Sequence, residues 1–165
     1  MIMRKVIFFV SLCLVSSVGV GMSILDVGKV CTFSAVSGVI TKDGQPVRNA
    51  RIVRVVDFQS KSQDETTTDE HGRFSMPALF ERSITKLLPQ EFVVGQSLLI
   101  EDGGDLQEFH MGVKRQSEEN VESKGVPLDV ICELSDENSA FYIDGNAFVT
   151  KCKWDAEHDV IDTGF

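Results

Sequence analysis

The sequence predicts an all-β fold, a Greek-key β-sandwich of about seven short strands with at most one short helix. Short stretches rich in Val, Ile, Phe and Thr alternate with turn dipeptides, the pattern of hairpin-linked strands. Asp43-Gly44 and the run Asp102-Gly103-Gly104-Asp105 stand between such stretches as tight-turn signals. Helical spacing of apolar residues is confined to one segment, and no internal repeat occurs.

The elements follow in chain order. Arg4 and Lys5 precede an uncharged apolar run, Val6 to Val20, and small residues follow at Gly19 and Gly21. Residues 1–21 are therefore expected to be a cleaved export signal, which makes the protein periplasmic or secreted. The run approaches the ~20 residues that span a bilayer, but Ser16, Ser17 and the glycines argue against an anchor. Neither Cys13 nor Cys31 has a lipobox-like run before it.

The sandwich is expected over residues 22–155, with residues 156–165 a loose acidic tail. "VCTFSAVSGVI" reads as a first strand and "NARIVRVVDF" as a second, apolar on both faces and so central. Arg54 falls in phase with Ile52 and Val56, which requires either a bulge or a paired guanidinium. "QSKSQDE" reads as a polar connector. In "TTTDEHGRFSMP", Asp69 and Gly72 suit a turn, and Phe74 and Met76 suit the core. Phe80, Ile84, Leu87 and Leu88 recur at helical spacing before Pro89. "EFVVGQSLLIED" and "LQEFHMGVK" form a hairpin; "RQSEENVESKG" is a charged loop. "VPLDVICEL" and "NAFVTKCKW" supply the last strands, with a polar segment between them.

Export permits a disulfide. Cys132 and Cys152 lie in strand-like runs close in sequence and are the expected bridge, with Cys31 to either partner as the alternative. No CxxC spacing exists, and His71, His110 and His158 are scattered, so neither metal nor cofactor is expected.

Charge is distributed unevenly. The net charge is −9, and losing Arg4 and Lys5 with the signal makes it −11. From Glu101 onward sixteen carboxylates face five lysines and arginines, so this half carries the whole −11. Nucleic acid and anionic membranes are poor partners for such a surface, whereas a protein with a basic surface suits it. Insertion into a membrane after signal cleavage is not expected, and the state is a monomer or weak dimer.

"VSGVITKDGQPVRNARIVRV" followed by "TTTDEHGRFSMP" resembles the carboxypeptidase regulatory-like domains, relatives of the transthyretin (prealbumin) sandwich, here in a small exported bacterial protein. Gly38-Val39, Gly44 with Pro46, Ala50 with Ile52, and Thr68-Asp69 with Gly72 and Phe74 carry the resemblance. It implies a Greek-key sandwich used as a folding aid, spacer or binding module. The enzymatic branch of that superfamily, the hydroxyisourate hydrolases, ends in Tyr-Arg-Gly-Ser. This chain ends "DVIDTGF", and Tyr142 is followed by Ile-Asp-Gly, so that catalytic set does not carry over.

Asp64, Glu65, Asp69, Glu70 and His71 lack the spacing of a calcium loop and fit a sheet corner better. Glu101, Asp102, Asp105 and Glu108 likewise fit a hairpin loop standing in water. Phe141, Tyr142, Phe148 and Trp154, with Asn138, Asp144 and Asn146, have the chemistry of a protein hot spot or a sugar platform. The candidate partner surface is Glu101, Asp102, Asp105, Asp136, Glu137, Tyr142, Asp144 and Trp154. The expected function is non-enzymatic protein binding, with an immunity-type inhibitor of a toxic effector as the specific form. The alternatives are an envelope or carbohydrate module and an unrecognised hydrolase.

Overall fold

The computed structural model describes residues 28–83 and 91–159. The expected signal, Ile84 to Leu88 of the expected helix, and the end of the tail lie outside them. The fold is all-β. Its strands are β1 (Lys29–Phe33), β2 (Val36–Lys42), β3 (Gln45–Pro46), β4 (Arg51–Asp57), β5 (Lys61–Thr67), β6 (Arg73–Met76) and β7 (Leu79–Arg82). After these come β8 (Val94–Asp102), β9 (Asp105–Lys114), β10 (Leu128–Glu133), β11 (Ser139–Ile143), β12 (Asn146–Thr150) and β13 (Cys152–Lys153).

They form three sheets. The largest has the order β11-β12-β9-β8-β4-β5; a second runs β13-β10-β2-β3 with β6 also on β2; β1 and β7 make a third. Phe33, Ile40, Ile52, Phe74, Leu98, Ile100, Phe109 and Val130, drawn from all three, meet in one buried core. Each such side chain stabilises the fold by about 1.5–3 kcal/mol on burial. The arrangement is that of packed sheets in a sandwich, with more strands than the sequence suggests.

Four readings need correction. The first strand is two, broken at Ser34 and Ala35: β1 pairs with β7 and β2 with β10. The break follows from Ser34, whose hydroxyl and amide turn into a buried polar cluster. The expected connector "QSKSQDE" contributes most of β5, a polar edge strand on β4. The polar segment after β10 contains β11, which pairs with β12. Leu79–Arg82, placed partly in the expected helix, is a strand antiparallel to β1.

Arg54 is paired rather than bulged. Neither ladder of β4 shifts register. The guanidinium has no exposed surface; its Nε and Nη2 donate to Asp64 at 2.9 and 2.6 Å, and Nη1 donates to the Pro77 carbonyl at 2.7 Å. The bulge lies instead between β8 and β9, where Leu98 faces His110 but Leu99 faces Glu108. The extra residue is Phe109, so Phe109 and His110 both point inward.

Candidate functional site

The first site to form from the residues upward is a buried ionic cluster. After β9 the chain turns through a 3-10 turn, Val121–Ser123, bracketed by left-handed Asn120 and Lys124. This turn drives Glu122 inward until it is 1 % exposed. There Lys114 Nζ donates to its carboxylate at 2.8 Å, Ser34 Oγ at 2.6 Å and Gln96 Nε2 at 3.0 Å. Burial pushes the Glu122 carboxyl up, but Lys114 and the bonds from Gln96 and Ser34 more than offset it, leaving it below the usual carboxylate range.

Beside the cluster, Cys31 is a buried free thiol whose ionisation burial opposes. His110 is fully buried against Phe148 and Trp154, and desolvation lowers it to about 4. These groups are shielded from solvent, and Gln96 Oε1 is buried among them without a hydrogen-bond partner among the described residues. The cluster ties β1, β8, β9 and the 3-10 turn together.

Asp43, Gly44, Asp69 and Gly72 shape two turns. Asp43 and Gly44 both take positive φ, the signature of a type I′ hairpin turn. Asp69 Oδ1 accepts from the His71 and Arg73 amides, each at 2.8 Å, which lowers its pKa; Gly72 takes the positive φ. Of the acids in that corner, Asp64 is committed to Arg54 and Glu65 to Arg51. Among the described residues no group of three or more His, Cys, Asp or Glu converges as a metal set.

Two acids clamp turns in a way the sequence reading missed. Glu133, at the end of β10, accepts from the Asp43 and Gly44 amides at 2.9 and 3.0 Å, and from Ser135 N at 3.0 Å. These bonds, the Ser135 amide foremost, lower its pKa to about 2. Asp159 accepts from the Asp144 and Gly145 amides of the β11–β12 turn, both at 3.0 Å. His158 stacks on Phe141 with centroids 3.9 Å apart. The tail is thus docked as far as Asp159, not loose.

The predicted partner surface divides. Glu101, Asp102 and Asp105 stand at the β8–β9 turn, where Arg51 Nη1 donates to Glu101 at 3.1 Å. Asp136 and Glu137 occupy the β10–β11 loop, with Asp136 at 3.8 Å from Lys153. Asp144 lies at the opposite end of the large sheet from the β8–β9 turn, since β12 runs antiparallel to β9. Tyr142 is 45 % exposed on the β11 edge strand.

Trp154 stands apart from the other predicted residues. Its ring is half-buried against Phe141, Phe148 and His110, and its indole N–H donates to the Glu122 carbonyl at 3.0 Å. Its outer side lines an open groove of about 350 Å³ with Val126, Pro127, Asp129, Ile131, Lys153 and Asp155. Ile131 is 67 % exposed there and Val126 49 %. The strand alternation of "LDVICEL" points Ile131 outward, so this exposure is the signal by which the groove could have been found.

The groove is fixed by covalent and ionic means together. β13 crosses from the large sheet to the edge of β10, where Cys152 faces Cys132 and the two form the expected disulfide. The buried cluster below holds the indole through the Glu122 carbonyl. Among the described residues no helix is long and apolar enough to cross a membrane.

No curated protein and no solved structure matches this chain. A family model matches residues 36–137, from the start of β2 into the loop after β10, and the chain belongs to the family it defines, described as Domain of unknown function (DUF6795).

Proposed function

We propose that this domain is an exported, non-enzymatic protein-binding module whose contact surface is the Trp154 groove, acting as an immunity-type inhibitor of a toxic effector. The observation that carries this reading is the grouping of exposed Ile131 and Val126 with a rigidly held Trp154, rimmed by Asp129 and Asp155. A half-buried tryptophan ringed by exposed aliphatic side chains is the usual anatomy of an interface hot spot. The carboxylate excess of the second half would steer a basic partner toward it. The resemblance of Val36 to Pro77 to carboxypeptidase regulatory-like domains supports the same reading, because those domains serve as spacers and binding modules.

Affinity capture from the native envelope followed by calorimetry with the purified partner tests the proposal. The affinity is expected to fall clearly between low and moderate salt, and Ile131→Ser to weaken it at least about tenfold. Binding that ignores both salt and Ile131 would overturn it. A second reading, a carbohydrate module, draws on the pairing of the Trp154 ring with Asp129 and Asp155 in one groove. A glycan titration that shifts Trp154 emission would favour that reading.

A further inference from the structure

β10 is fully paired on one side only. Against β2 it forms a parallel ladder from Leu128–Val36 to Glu133–Thr41. On the other side its partner among the described residues is β13, which meets it only at Ile131 and Cys132. Main-chain groups alternate sides along a strand. Glu133 N–H donates toward β13, to the Lys151 carbonyl, so the main-chain groups of Ile131 and Asp129 face the same way. Beyond Lys153 the chain turns off through Trp154, and Asp129 is left with its N–H and C=O directed past the end of β13. That open edge is one residue long, because Pro127, next in phase, has no N–H to offer, and it borders the groove.

We infer that the groove takes an extended segment of the partner, which adds to β10 as a strand beside Asp129 and continues the line of β13. This inference rests on the protein-binding reading of the same groove. Strand addition draws affinity from main-chain bonds and specificity from alternate side chains. Here one alternate position meets Ile131, Val126 and Trp154, which selects an apolar side chain. The next position on the same face, two residues along, meets Asp129 and Asp155, which selects Lys or Arg. Asp129 is held in place by Ser37, whose hydroxyl donates to Oδ1 at 3.0 Å, and Lys153 is drawn toward Asp136 at 3.8 Å. The occupant is therefore an extended segment in which an apolar and a basic residue stand two positions apart.

The test titrates a peptide repeating Val-Thr-Lys-Thr into the full chain, reading the emission of its single tryptophan and hydrogen exchange at the Asp129 amide. Binding is expected to shift the emission and slow that exchange. Methylating the edge-facing amide nitrogens should weaken binding about tenfold. The same repeat with glutamate in place of lysine should bind more weakly. Ile131→Ser should weaken binding without changing thermal unfolding, since that side chain packs mostly against solvent. Equal affinity for the methylated peptide overturns strand addition and leaves a groove that reads side chains, with the protein-binding proposal intact. The same holds if a folded basic partner binds but no peptide shifts Trp154 at millimolar concentration. A concentration-dependent dimer lost in Ile131→Ser makes a second copy the occupant and also overturns the inference. Silence from peptide and captured partner alike overturns both proposals.

Discussion

Lys114 has no exposed surface, yet it carries a charge, because Glu122 and the Glu118 carbonyl receive its ammonium, each at 2.8 Å. Removing one member of such a pair leaves the other charged and unpaired in the interior. Lys114→Met is expected to cost about 3–5 kcal/mol in urea unfolding, with the double variant Lys114→Met, Glu122→Gln recovering part of it. His110 adds a pH dependence of definite sign. Its folded pKa, about 4, lies below the ordinary 6.5, so between these values the unfolded chain binds the proton and the folded chain does not. Stability should therefore fall as pH drops through 6.5 and lose roughly 3 kcal/mol by pH 4. Denaturant midpoints measured across that window check this, and His110→Leu should flatten the slope. These residues were hard to read in advance. "RQSEENVESKG" looks like a solvated charged loop, and composition does not say which glutamate turns inward. Only the left-handed residues on either side of the 3-10 turn decide that, and neither Asn120 nor Lys124 announces itself as strongly as a glycine.

At the scale of elements, the hairpins were the legible part. Asp43-Gly44 and Gly103-Gly104 take positive φ, as paired turn residues must, and they fix the register of the strands they join. The Asp144-Gly145 turn obeys the same rule but was hidden inside a polar segment. β5 was misread because its side chains are polar on both sides, as suits an edge strand, so hydrophobic periodicity is silent there. The β2–β10 pairing could not be read from the sequence, since nothing local specifies a parallel neighbour so far along the chain. Gly38 is its one sequence trace. A Cβ at that position would stand 2.1 Å from the Val130 carbonyl oxygen. Gly38→Ala is expected to lose more than about 2 kcal/mol and to raise exchange at amides of both strands.

For the whole molecule, the disulfide joins what the two principal sheets share. β12 belongs to the large sheet and β13 to the sheet of β10, with only Lys151 between them. Cys132–Cys152 secures that crossing and, with it, the position of Trp154. Reduction is expected to lower stability by about 3 kcal/mol and to shift Trp154 emission to the red, as seen by thermal unfolding and fluorescence with and without reductant. Trp154 is legible in the sequence, but its surroundings come together only where β13 meets β10.

The parallel ladder between β2 and β10 also sets a schedule. Residues 36–41 find that neighbour only at residues 128–133, so a ribosome or translocon must deliver most of the polypeptide before the inner strand of the smaller sheet can close both its flanks. Until then Ile40 and its companions wait half-clothed, and folding is governed by distant encounters that are slow to occur. Under the proposed export, that delay falls in the compartment where the cysteines are also being joined.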